Sequence, residues 1–273
     1  MIFDSESVFE ENVITVLKQH GWKDGVLRYP TERDLLDNWK GILYRNNNDI
    51  DRLGKYPLTD GEMTQIIEQI ETLRTPLALN SFVNGRTVSI TRDNKEDVAH
   101  FGKEVSLYIY DRKEIAGGKS TYQIVQQPVY PAKNTMLSSR RGDLVLLING
   151  MPLIHIELKR SGIPVSQATN QIEKYAHEGV FTGLFRLVQI LRGHDPRRRR
   201  LLRQSRRGQI QSKLLLPLGG LQQRAYLWRA TPRQRRMEAV HRRHFRHRRP
   251  AVHSHGAPAH RFLHHRRLGG WMS

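Results

Sequence analysis

The chain changes character after residue 190, and that break decides which part of it can fold. Residues 1–190 carry 23 Lys and Arg against 24 Asp and Glu, whereas residues 191–273 carry 22 against 2. The net charge of +19 therefore belongs to the second stretch, and the first is nearly neutral. Of the 22 basic residues after residue 190, 21 are Arg, and nine of the chain's thirteen His lie there. Leu, Ile, Val and Phe make up 16 of those 83 residues, a composition that predicts a disordered Arg/His-rich tail. Three readings of it are open. An Arg-rich arm for nucleic acid is one. A His-rich metal site at His241, His244, His247, His253 and His255 is another, but no carboxylate or Cys accompanies those residues. The third is favoured: Arg, His, Pro, Gly, Ala and Leu are written by GC-rich codons, and a shift of reading frame near residues 186–192 produces this mixture. The expected organisation is one folded domain over 1–190 and a basic tail over 191–273, without an evolved role if the frame has shifted.

The rest of the composition excludes whole classes. With no Cys, the chain has no disulfide framework, Cys-ligated zinc, iron–sulfur cluster or thiol nucleophile. No apolar run approaches eighteen residues, so no membrane association is expected. The start, MIFDSESVFEEN, is acidic where a signal peptide is basic, and a cytoplasmic location is expected.

Hydrophobic periodicity predicts helices over 6–19, 31–40, 61–73 and 165–177, the first two opened by Ser5 and Thr31. Strand patterns cover Thr87–Thr91, Val105–Asp111, Tyr122–Tyr130, Asp143–Asn149 and Pro152–Lys159, and a further strand is expected from Leu184. Asn149-Gly150 marks a tight hairpin turn. Helices, antiparallel strands, helix and strand together make an α/β unit. Gly117-Gly118-Lys119-Ser120-Thr121 imitates the end of a phosphate loop. Lys113 stands where that motif needs its first Gly, and a strand pattern follows instead of a helix, so no ATP site is expected.

The informative stretch is the hairpin from Arg140 to Arg160. Alternation places Leu153, His155, Glu157 and Lys159 on one face of its second strand, and Asp143 starts the first. Pairing Ile148 with Leu153 across the turn brings the two acids near each other. Neighbouring buried carboxylates repel unless a divalent cation lies between them. Mg²⁺ takes hard oxygen ligands, so Asp143, Glu157 and the Leu158 carbonyl are its candidate ligands, and Lys159 is placed to orient water or stabilise developing charge. The bland alternative is a strand-starting Asp and a strand-end ion pair. Arg140, Arg141 and Arg160 are candidate phosphate contacts, or ordinary solvated charges.

Asp143, thirteen residues, then Glu157-x-Lys159 on adjacent strands resembles the PD-(D/E)xK nucleases. With Gln171-x-x-x-Tyr175 downstream, and Ser5-Glu6-x-x-Phe9-Glu10 and Gly21-Trp22 upstream, the chain more closely resembles the restriction subunit of type I restriction–modification enzymes. Gly142 stands where the superfamily has Pro. The resemblance covers roughly residues 4–190. It implies a restriction-endonuclease-like core, a mixed sheet flanked by helices, that cuts double-stranded DNA with Mg²⁺. It also implies that Gln171 and Tyr175, on one helical face, help position DNA or the catalytic cluster, and that Glu10 or Glu6 faces the metal. In that family ATP-driven translocase domains follow the nuclease, and methyltransferase and specificity subunits complete the complex; none of the motor motifs is present here. The expectation is the endonuclease domain of such a subunit, truncated before its motor. The alternatives are a standalone nuclease with a basic DNA-binding arm and an inactive docking module.

Overall fold

Local signals build most of the elements. The computed structural model describes residues 2–84, 87–109, 120–130, 140–204 and 210–217. Ser5 accepts a hydrogen bond from the Val8 amide and opens α1 (Glu6–Gln19), which buries Phe9, Ile14 and Leu17. Thr31 and Asp34 form a reciprocal capping box at the start of α2 (Glu32–Asn46), which ends six residues beyond the point periodicity predicts. Thr59 and Glu62 do the same for α3 (Asp60–Thr72). Helix α4 (Pro76–Val83), absent from the sequence reading, starts with Thr75 as cap and Pro76 in the first turn. The long helix after the hairpin is α5 (Val165–Glu178), closed by Gly179 in the left-handed region.

The strands are β1 (Val26–Arg28), β2 (Thr87–Thr91), β3 (Glu104–Tyr108), β4 (Tyr122–Gln126), β5 (Val129–Tyr130), β6 (Arg140–Arg141), β7 (Leu144–Ile148), β8 (Met151–Leu158), β9 (Ile190–His194), β10 (Arg198–Gln204) and β11 (Ile210–Pro217). Among the described residues, seven form one mixed sheet in the order β1-β4-β7-β8-β9-β10-β11. The β1–β4 and β8–β9 pairs are parallel and the rest antiparallel. Strands β2 and β3, and β5 and β6, form two small separate ladders. Helices flank both faces: Phe9 of α1 stacks on His194, while Gly193, pointing the other way, lies against Ala168 and Thr169 of α5. The core gathers Trp39, Leu43, Ile66, Val145, Leu147, Ile172 and Phe185.

Three expectations change. The strand pattern over Tyr122–Tyr130 breaks at Gln127, whose φ is 51°, so β5 leaves the main sheet and pairs with β6. The apolar run from Leu184 is a 3-10 helix, Gly183–Leu187, with the Leu184 amide donating to Glu32; the strand starts only at Ile190. Ile148 pairs with Met151 rather than Leu153, because Asn149 and Gly150, at φ 50° and 82°, make a two-residue turn. Strand β3 ends at Tyr108, and Asp111 and Gly117–Lys119 lie outside the described residues.

The change of composition after residue 190 is not a break in the sheet. Strand β9 lies parallel to β8, β10 continues the sheet, and Leu191 and Leu202 are buried. Residues 205–209 and 218–273, including the His cluster, lie outside the described residues. Among the described residues, no helix is long and apolar enough to cross a membrane.

Candidate active site

A β-bulge brings the two acids opposite each other. Next to the turn, Leu147 pairs with Pro152, but one step later Leu146 pairs with Ile154, so Leu153 is an extra residue on β8. The shifted register continues through Leu144–Ile156 and sets Asp143 across from Glu157. Without the bulge Asp143 would face Ile156. Asp143 Oδ2 also accepts the Leu158 amide at 2.6 Å, which ties the two strands at this point.

Glu157 is fully buried, and neither of its carboxylate oxygens reaches full hydrogen-bond geometry with a described residue, although the amide and side chain of Asp143 lie close enough to draw its carboxyl down a little. Burial, with Glu6 adding to it against the pull of Lys159, pushes its carboxyl up to about 8. Asp143 is half-buried and is likewise raised to about 8, by burial first and then by Glu157. The pair is thus set up to hold protons at neutral pH unless a cation replaces them. Glu10 is buried, accepts from Gln127 Nε2 at 3.2 Å through one oxygen and has no hydrogen-bond partner for the other; burial raises its carboxyl as well. Glu6 lies nearer the surface, with Lys159 Nζ 3.4 Å away. Of the two N-terminal candidates, Glu10 is therefore the buried one and Glu6 the partner of Lys159.

Among the described residues, no group of three or more His, Cys, Asp or Glu side chains stands in metal-holding geometry. Asp143 and Glu157 are brought together as a pair, with Glu10 near enough to act on Asp143 electrostatically. A pair is a smaller requirement: Mg²⁺ commonly takes one or two carboxylates and keeps several waters. The buried oxygens of Glu157 fit such a role.

Gln171 and Tyr175 share one face of α5 as expected, and they meet each other: Gln171 Nε2 donates to Tyr175 Oη at 2.7 Å. Tyr175 Oη in turn donates to the Arg141 carbonyl at 2.7 Å, two residues before Asp143. An open groove beside them is lined by Arg140, Arg141, Asn170, Gln171 and Lys174. Arg140 is held by two hydrogen bonds to Glu178, both 2.9 Å, whereas Arg141 and Arg160 are exposed.

The profile of the family described as type I restriction enzyme R protein N terminus matches residues 4–206. The chain belongs to this family. The SsaAORF53P endonuclease subunit of Staphylococcus saprophyticus, a type I restriction enzyme, is 32% identical over 196 residues, covering 70% of this chain and 18% of its own length. The SauMSSORF170P endonuclease subunit of Staphylococcus aureus is 32% identical over 192 residues, with the same coverage. The EcoprrI endonuclease subunit of Escherichia coli is 26% identical over 195 residues, covering 69% of this chain and 55% of its own length. The chain thus corresponds to an N-terminal portion of a type I endonuclease subunit, and spans under a fifth of the staphylococcal relatives it matches.

Within this R-protein domain, sequence reasoning gives no role to two residues at the site, His155 and Tyr130. His155 is fully buried two positions before Glu157, with Tyr130 Oη 2.8 Å from its Nδ1. Tyr130, Tyr175 and Phe181 surround the imidazole, with ring centroids 5.6 to 6.1 Å away. Burial lowers the imidazole to about 4 and keeps it neutral. The signal available in the sequence was a His inside an apolar strand on the face of the acid; the partner 25 residues earlier had none.

Proposed function

We propose that the chain is a PD-(D/E)xK endonuclease domain that cuts double-stranded DNA with Mg²⁺. The observation that carries this reading is Asp143 set opposite Glu157 by the bulge, with both Glu157 oxygens buried short of full hydrogen-bond geometry and Lys159 two residues beyond. Asp143, Glu157 and the Leu158 carbonyl would hold the ion, with Glu10 beside them. Bound there, Mg²⁺ would acidify a coordinated water and neutralise charge on the scissile phosphodiester. Lys159, released from Glu6, stabilises negative charge developing on the phosphate. Tyr175, steadied by Gln171, anchors the segment leading into Asp143. Arg141 and Arg160 contact the DNA backbone, with Arg140 joining them if it leaves Glu178.

As in the family, ATP-driven translocation and sequence recognition would come from following domains and from methyltransferase and specificity subunits. A second reading, a docking module that does not cut, is favoured by the pairing of Lys159 with Glu6 and Arg140 with Glu178, which engages two of the basic side chains the nuclease reading uses. Incubating the chain with supercoiled DNA and Mg²⁺ separates the two. Nicking that disappears in Asp143→Ala and Lys159→Ala supports the nuclease. Activity unchanged by both substitutions overturns it, and DNA-stimulated ATPase would overturn the assignment of translocation to other domains.

A further inference from the structure

His155 is buried on the same face of β8 as Glu157, and its two ring nitrogens face different partners. Nδ1 lies 2.8 Å from Tyr130 Oη, and Nε2 lies 3.2 Å from Glu157 Oε2. The Nε2–Oε2 contact falls short of hydrogen-bond alignment, and neither atom reaches full hydrogen-bond geometry with another described residue, Asp143 being the other close neighbour of the Glu157 carboxyl. Tyr130 is itself fully buried, and among the described residues its hydroxyl meets His155 Nδ1, with the direction of the bond set by the tautomer. A phenol O–H that donates to Nδ1 leaves the single proton of a neutral imidazole on Nε2. That proton points at Glu157. Once Glu157 is ionised, as a bound cation requires, the opposite tautomer would set a bare Nε2 lone pair against a carboxylate oxygen.

The fit around this pair is tight. A Cβ added at Gly142 would come within 2.7 Å of Tyr130 Oη and 2.9 Å of His155 Cε1, so the residue before Asp143 has to do without one. A Pro there would also lose the Gly142 amide bond to the Pro128 carbonyl. The missing family Pro and the Tyr130–His155 pair are two sides of one arrangement.

We propose that His155 is a positioning residue for Glu157: Tyr130 fixes its tautomer, its Nε2–H holds Oε2 after a small rotation of the carboxylate, and Oε1 is left for the cation. The proposal rests on the nuclease reading of the same acids. Partners of this kind, one step removed from a metal, commonly change its affinity by about 10- to 100-fold.

Two measurements on the full chain test it. In the metal-free chain with ¹⁵N-labelled histidine, held at alkaline pH where Glu157 is ionised, long-range proton–nitrogen spectra should show His155 protonated on Nε2, its signals assigned by their loss in His155→Gln. Tyr130→Phe should mix the tautomers. In titration calorimetry with Mg²⁺, His155→Leu should weaken binding by about 10-fold, and His155→Gln, which keeps an N–H near the Nε2 position, should recover most of it. An Nδ1–H tautomer in the wild type, or His155→Leu binding as tightly as wild type, overturns the proposal. If the wild type binds no Mg²⁺ at all, the nuclease reading fails and the tautomer alone decides the role of His155.

Discussion

Gly142 is the point where steric fit and chemistry meet. Its missing Cβ leaves room for Tyr130 and His155, and its amide binds the Pro128 carbonyl. Gly142→Ala forces that pair to shift and is expected to cost about 1–3 kcal/mol in urea denaturation; an unchanged midpoint would show the pair to be loosely held. The acid pair beside it makes stability depend on pH. Asp143 and Glu157 are both raised to about 8 in the folded chain, against ordinary values near 4. Folding therefore favours their protonated forms. That contribution is complete below about pH 4 and is lost as pH rises through about 8. Glu10 works in the same direction on Asp143, and Lys159 opposes it. With chelator present, the denaturation midpoint should fall between pH 5 and 9, and Asp143→Asn should flatten the profile by removing one carboxyl and its repulsion on the other. Parallel profiles for the two proteins would show that the pair does not control this window. Adding Mg²⁺ at pH 8 should raise the wild-type midpoint and leave that of Asp143→Asn little changed.

At the scale of elements, the hairpin and the helix behind it act together. Tyr175 on α5 ties the Arg141 carbonyl, and the bulge at Leu153 then selects which side chain Asp143 meets. Tyr175→Phe should cost about 0.5–1.5 kcal/mol, the net worth of one intramolecular hydrogen bond, and lower DNA nicking further than the stability loss explains. Equal, proportionate losses would make Tyr175 purely structural. Much of this was legible in the sequence. Caps and 3.6-residue periodicity mark α1, α2, α3 and α5, and Asn149-Gly150 marks the turn, because these signals are local. The bulge was not legible: a one-residue insertion looks like any other residue in an apolar run. Leu184–Leu187 reads as a strand because its apolar character is set by burial, while its 3-10 shape depends on Glu32, 152 residues away. Contacts between distant segments, such as Glu6 with Lys159 or Tyr130 with His155, leave no periodic trace.

At the scale of the molecule, β9 and β10 combine membership in the sheet with a composition unlike the rest of it. Arg199 is buried in β10, and its Nε has no hydrogen-bond partner among the described residues. Evolved sheets rarely leave a buried cation in that state, so Arg199→Leu is expected to raise the thermal midpoint; a lowered midpoint would show that the guanidinium is satisfied. The same mismatch motivates the proposal of a shifted reading frame near residues 186–192. Resequencing those codons decides it: a single-base insertion or deletion supports the shift, and an intact frame, the outcome favoured by a family match that runs on to residue 206, leaves the Arg-rich stretch as the protein's own. The placement of β9 has a practical consequence for anyone dividing the chain. Its Ile190–His194 segment covers the flank of the strand that carries Glu157, and the His194 carbonyl takes the Lys159 amide at 2.9 Å. A version stopped at residue 190, where the composition changes, would lay bare the backbone of that strand and turn the hairpin of Asp143 and Glu157 into a template for self-association.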